Sequence, residues 1–304
     1  MQGVVNFMKP PGMSSAQAVA FIKRLSGLKA GHAGTLDPEA AGVLPILLGR
    51  ATRIADYLMA GRKVYLAEIA FGQATDTQDA QGKVTARGGD FPDEESLLAV
   101  IPRFTGTITQ LPPQYSALKA GGKPAYKLAR DGKQAALKPR ETEIQHIGLV
   151  RPMPSHGFLI RVTCGKGTYI RTLCHDLGVA LGCPAHMRLL IREESAGLKI
   201  AKAVTAEELK REGRRFFAER LIPADEALGF LPGMKVPTSL THLLAGGVRI
   251  AADDPRLNGQ RAPQGVFRLY AGCAFIGLFE ELEGSLRART MLYRPAEGLN
   301  RTIS

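Results

Sequence analysis

A chain of 304 residues, 45% hydrophobic and 22% charged, holds enough apolar material for a sizeable core, which excludes wholesale disorder and predicts one large domain with an appendage. Forty Lys and Arg against 28 Asp and Glu leave a formal charge of +12, an excess that favours a polyanionic partner over a membrane surface. The longest uncharged apolar run, residues 40–49, is about half of what a transmembrane helix needs.

In chain order, Ser14 or Ser15 is a cap for a helix reaching Leu28, with Val19, Ile22 and Leu25 on one face. After the glycines and prolines of residues 31–49, Ile54 to Leu58 reads as a short helix. VYLAEIAF at 64–71 alternates and is rich in β-formers, and FLIRVTC at 158–164 does the same, so both are predicted strands. Pro124 at a first helical position and Gly132 past the end bracket the helix PAYKLARD. Thr205 and Glu208 form a capping box before a helix through Phe216 and Phe217. Beyond the GFLPG of 229–233, the runs GVFRLYA, AFIGLFEEL and LRARTMLY are separated by turn residues and predict a small β-rich unit. Strands and helices mix without a βαβ rhythm, which makes the class α+β.

The charge is uneven. Between Lys119 and Arg140 seven basic residues face one acid, Asp131, so this stretch is either a solvated face or a surface that tracks phosphates. The N-terminus, MQGVVNFMKPPG, lacks the basic flank and apolar stretch of a secretory signal. Cys164, Cys174, Cys183 and Cys273 form no C-x-x-C pair, so reduced thiols and a cytoplasmic location are expected. Phosphate-loop, H-E-x-x-H and G-x-G-x-x-G signatures are absent; CGKGT at 164–168 has a glycine where the phosphate loop needs its hydroxyl. Neither ATP nor nicotinamide chemistry is therefore expected. Cys174, His175, Cys183 and His186 fall close together, but the adjacent pair and the glycine-rich link favour buried thiols and polar histidines over zinc.

The segment GHAGTLDPEAAGVLPILLGRATR, residues 31–53, has little periodicity. On local grounds Asp37 could simply be the N-cap of a helix with Pro38 in its first turn. Its residues His32 to Pro45, however, spell H-x-G-x-L-D-P-x-A-x-G-x-L-P. Together with KPPGMSS at 9–15, QLPPQYSALKAGGKPAYKLARDG at 110–132 and CGKGTYIRTLCHDLGVALGCPAH at 164–186, this order of blocks resembles the TruB family of pseudouridine synthases, whose bacterial members act on the tRNA T-loop. Two departures stand out. Asn6-Phe7-Met8 replaces the usual acid before Lys9, and Ile191-Arg192 stands where the family carries two arginines, with Arg188 a possible substitute.

The resemblance implies a mixed and antiparallel catalytic domain over 1–230 and a small β-rich, PUA-like RNA-binding domain over 231–304. It implies isomerisation of uridine 55 in the tRNA T-arm to pseudouridine, with the base flipped out, no cofactor and no metal. By match, Asp37 is the nucleophile, Arg171 its cationic partner, and Tyr65 the ring that stacks on the base and helps with the C5 proton. Tyr65 shares a strand face with Ala67, Ile69 and Phe71, so a plain core role stays open. Tyr169 is a second pocket aromatic, Leu190 an apolar wall, and His32 the ring that fills the gap left by the flipped base. Lys123, Lys127 and Arg130 are expected phosphate contacts. A monomer without an obligate protein partner and without membrane attachment is expected. The alternatives are a non-catalytic RNA-binding or tRNA-folding protein, and a synthase acting on another RNA.

Overall fold

The computed structural model describes residues 2–293 apart from 117 and 155. Its first half is laid down by β1 (Gly3–Lys9), α1 (Ser15–Ser26), β2 (Ala30–His32), β3 (Ala41–Leu48), α2 (Ala55–Ala60), β4 (Lys63–Phe71) and the hairpin β5 (Gln73–Thr75)–β6 (Val84–Arg87). Then come α3 (Glu94–Val100), β7 (Gly106–Gln110), the small hairpin β8 (Lys119–Ala120)–β9 (Lys123–Pro124) and α4 (Ala125–Arg130). The sheet is completed by β10 (Arg140–Met153), β11 (Gly157–Cys164), α5 (Ile170–Ala180), β12 (Ala185–Ser195), β13 (Leu198–Lys199), α6 (Ala206–Glu219) and β14 (Leu221–Ile222).

Ten of these fourteen strands form one sheet in the order β14-β1-β3-β12-β4-β11-β10-β7, with β2 paired to β3 and β13 to β12, while β5–β6 and β8–β9 stand apart as two-stranded hairpins. All its pairings are antiparallel except β12 with β3. Chain neighbours therefore pair only at β10–β11, β2–β3 and β12–β13, and the sheet is mixed α+β, as the missing βαβ rhythm implied. Its central strand β3 was not legible as a strand. AGVLPILL does not alternate because the strand is buried from Gly42 onward, covered on both faces.

The elements expected from pattern are present with shifted ends. Ser14 caps α1, and its capping box with Gln17 is complete. A 3₁₀ turn at Gly49–Ile54 precedes α2, so the predicted helix starts one residue late. Pro124 sits at the N-cap of α4, one position before the first helical residue. Thr205 and Glu208 bond reciprocally at the start of α6, which is broken at Gly213 with φ of 73°. Asp37 caps no helix: Ala40 N donates to the Asp37 carbonyl in a tight turn that leads straight into β3.

A second, five-stranded sheet pairs β15 (Gly233–Val236), β17 (Val266–Ala271), β18 (Ala274–Leu282), β19 (Ser285–Met291) and β16 (Ile250–Ala251), in that order. It has its own core around Phe267, Leu269, Ile276 and Phe279. Another apolar cluster joins Val4, Leu47, Ile54 and Leu58 to Leu278 and Leu292, so the second sheet leans on the outer ends of β1 and β3. Arg53 Nη1 donates to the Met291 carbonyl at 3.1 Å across the same seam.

Candidate active site

Asp37 lies in the loop between β2 and β3, at the end of the sheet where Lys9, Gly42 and Arg192 meet in register. Its side chain is 38% exposed, whereas that of Arg171 is 6% exposed. Arg171 Nε stands 3.0 Å from Asp37 Oδ2 and Nη2 donates to Oδ1 at 3.4 Å, a two-pronged contact. Arg171 is held for this task. Its Nη1 donates to the Thr77 carbonyl at 3.0 Å, its Nη2 to the Tyr115 carbonyl at 2.9 Å, and Nη1 is 3.5 Å from Asp79 Oδ2. One guanidinium therefore lies between two carboxylates. Burial pushes the Asp37 pKa above its ordinary value; Arg171 pulls it back and Asp79 pushes it further up, with the net direction upward.

The loop around Asp37 is braced from both sides. Ser15 Oγ donates to the Leu36 carbonyl at 3.0 Å and accepts from Leu36 N at 2.9 Å. The fully buried Lys9 donates from Nζ to the carbonyls of Pro10, Met13 and Pro38 at 2.8, 2.7 and 2.9 Å, which uses all three of its donors. Burial lowers the Lys9 pKa to about 8, although Glu39 and Asp37 work against that shift. The first sequence block thus fixes the residues immediately before and after Asp37.

Tyr65 on β4 is cross-strand from Arg192, and Leu190 from Ala67. Tyr65 is 9% exposed, with Ala67, Ile69 and Phe71 along the same core face, so its ring is part of the packed core. Burial raises its pKa, and Arg192 opposes the rise. Tyr169 precedes α5, and no side chain of its own caps that helix. Instead Gln110, 2% exposed, clamps the Tyr169 backbone: Tyr169 N donates to Oε1 at 3.0 Å, and Nε2 donates to the Tyr169 carbonyl at 3.2 Å. His32 ends β2 with a buried Nδ1 that has no hydrogen-bond partner, and burial lowers its pKa.

Strand β12 resolves the arginine question raised by the sequence. Leu190 and Arg192 are buried and Ile191 is not, so the isoleucine points to the opposite face of the sheet. Exchanging that arginine takes nothing from the Asp37 side. Arg188 does not stand in for it: it occupies a bulge in β12, is half exposed, and lies 3.7 Å from Glu68. Gly42 explains another motif position. At φ of 110° its absent Cβ would lie 2.3 Å from the Arg192 carbonyl oxygen. Gly42→Ala is expected to cost about 2 kcal/mol or more, read as a lower urea midpoint at unchanged m-value.

The predicted site residues thus divide. Arg171 meets Asp37, Tyr169 stands two residues before Arg171, and Tyr65 and Leu190 lie on the paired strands β4 and β12, whereas His32 ends β2 opposite Ile46, further along β3. Lys123 and Lys127 are exposed on the insert between β7 and β10, and the side chain of Arg130 lies outside the described residues. The insert's neck is closed by the Gln110–Arg140 pair. Asp79, Gln110, Lys9 and Arg192 were not assigned site roles from sequence, and Ser15 was read only as a helix-cap candidate. Asp79 sits in a polar turn between β5 and β6 that reads as ordinary loop, with Thr77 Oγ1 donating to its Oδ1 at 2.6 Å.

Family models for the TruB pseudouridylate synthase N-terminal domain and the tRNA pseudouridylate synthase B C-terminal domain match residues 22–170 and 171–229. The chain belongs to the TruB family of pseudouridylate synthases. It is 43% identical over 257 residues to tRNA pseudouridine synthase B of Pelotomaculum thermopropionicum, covering 82% of this chain and 81% of that one. The protein of the same name from Sinorhizobium medicae is 39% identical over 292 residues, 92% of each chain. Among solved structures, one described as a Cbf5-Nop10-Gar1 complex has a chain 28% identical, covering 92% of this chain and 78% of that one, with a TM-score of 0.71. Residues of all four sequence blocks meet at the Asp37–Arg171 pair, through Lys9, Tyr115 and the pair itself.

Proposed function

We propose that the chain isomerises uridine 55 in the T-arm of tRNA to pseudouridine, with Asp37 as nucleophile. The observation that carries this reading is the two-pronged pair between a partly exposed Asp37 and a buried Arg171. A carboxylate there can stay ionised against the upward pull of burial while keeping an exposed edge for substrate. The C1′–N1 bond of uridine breaks with its electron pair going to N1, and Asp37 bonds to C1′. The detached base turns, C5 bonds to C1′, and the carboxylate leaves. The C5 proton is then lost and N1 gains one, so no electron is exchanged and no cofactor is called for.

Tyr65 stacks on the flipped base and assists with the C5 proton, Tyr169 and Leu190 complete the pocket, and His32 fills the vacancy in the RNA stack. Arg171 holds Asp37 ionised. Residues 1–230 are the catalytic domain and 231–304 a PUA-like RNA-binding unit. Identity is higher to chains named tRNA pseudouridine synthase B, at 43%, than to the Cbf5 chain, at 28%, which favours tRNA over a guide-dependent substrate. We read the protein as a cytoplasmic monomer that needs no protein partner; among the described residues no helix is long and apolar enough to cross a membrane.

The test of this reading is tritium release from a T-arm hairpin labelled at uridine C5, with purified protein alone. Release at the target position is expected; none at all would overturn the reading. A companion prediction concerns the insert. Neutralising Lys123, Lys127 and Arg130 together should weaken tRNA binding and flatten its salt dependence by roughly one slope unit per lost phosphate contact, while turnover at saturating tRNA survives. An unchanged log–log slope would mean that the insert does not touch RNA.

A further inference from the structure

Arg192 is 1% exposed and among the largest fully buried side chains. Its Nε donates to the Val43 carbonyl at 2.7 Å, Nη2 to Gly34 at 3.0 Å and Nη1 to Thr35 at 3.4 Å. Gly34 and Thr35 belong to the loop that carries Asp37, and Val43 to the strand that follows it. Across the sheet Arg192 is in register with Tyr65. Among the described residues no carboxylate comes within 4.0 Å of it.

A buried cation met by three carbonyls and the Tyr65 side chain, with no carboxylate to balance it, is an expensive way to brace a loop. Its field is felt nearby: after burial, Arg192 is the second cause lowering the pKa of both His32 and Lys63. Resting on the synthase reading above, we propose that Arg192 is a positioning residue that fastens the Asp37 loop to Tyr65 and sets an uncompensated positive charge beneath the uracil. When the C1′–N1 bond breaks, the electron pair left on N1 spreads over the ring and its carbonyl oxygens. A fixed cation behind the stacking ring lowers the energy of that anion without itself gaining or losing a proton.

The charge and the bracing are separable by changing the leaving group. Fluorine at C5 makes the departing base a weaker base, so it needs less electrostatic help. Single-turnover consumption of uridine and of 5-fluorouridine at the target position is measured for wild type, Arg192→Gln and Arg192→Lys. Melting curves show that each variant is folded. Arg192→Gln should lose on the order of 10²-fold on uridine, as for one lost stabilising donor, and at least several-fold less on 5-fluorouridine. Arg192→Lys keeps the charge and should lose equally on both substrates. Equal losses for the glutamine variant overturn the electrostatic part.

Should Arg192→Gln fail to fold, Arg192→Lys is combined with Tyr65→Phe in a double-mutant cycle. Non-additive losses are expected, and full additivity overturns the link to Tyr65. Failure of wild type to consume either substrate would instead overturn the synthase reading itself.

Discussion

Asp37→Asn should abolish isomerisation, a loss on the order of 10⁴-fold or more in single turnover, while tRNA affinity barely changes. The amide is the same size as the carboxylate and leaves the turn alone, because the bond that shapes it runs from Ala40 N to the Asp37 backbone carbonyl. Affinity is dominated by phosphate contacts elsewhere, so filter binding is the control. The melting temperature gives an independent reading. A carboxyl whose folded pKa is raised adds stability only in its protonated form, present below its unfolded pKa and lost as pH rises through the folded value. At pH 7 the ionised Asp37 is therefore a cost to the fold, and Asp37→Asn should melt at the wild-type temperature or slightly above it. Arg171 keeps Asp79, Thr77 and Tyr115 as partners in that variant. Multiple turnover by Asp37→Asn would remove the nucleophile assignment. A large drop in melting temperature would mean that the acid is structural.

Much of the candidate site could be proposed from sequence because its residues sit inside dense local blocks, where a motif fixes identity and spacing together. Asp37, Arg171 and Tyr169 are of this kind. What could not be read is the set of long-range polar contacts. Gln110 holds Tyr169 across 59 residues, and Arg192 reaches Gly34 across 158. Nothing in the periodicity near either side chain announces such a partner, since a buried polar residue and an exposed one look alike in a one-dimensional pattern. The fold was legible where strands alternate, as at 64–71 and 158–164, and where helices carry caps, as at Ser14 and Thr205. It was illegible at β3, where burial on both sides erases the alternation. The helix alternative for Asp37-Pro38 failed for a related reason. Cap preferences are local, whereas Lys9 and Ser15 impose the loop from a distant segment.

Arg171→Ala should slow isomerisation at pH 7 and shift the acid limb of its rate profile to higher pH. In wild type the upward push of burial on the Asp37 pKa is opposed chiefly by Arg171, while Asp79 pushes the same way as burial. Removing the guanidinium leaves two carboxylates in one pocket, with Lys9 committed to three carbonyls. Such a site takes up a proton to relieve desolvation and repulsion, so the Asp37 pKa climbs. Each unit of rise costs about tenfold at pH values below it, because a neutral acid is a poor nucleophile. Raising the pH should recover part of the rate. Full recovery is not expected, since the contacts from Arg171 to the Thr77 and Tyr115 carbonyls are lost as well. Arg171→Lys retains a cation but cannot span both oxygens of Asp37 and both carbonyls, so it should fall between wild type and alanine. The measurement is the single-turnover rate from pH 5 to 9 for the three proteins. A wild-type profile merely scaled down in Arg171→Ala would mean that the guanidinium orients the Asp37 loop without tuning the acid, and an unaltered rate would remove Arg171 from the site.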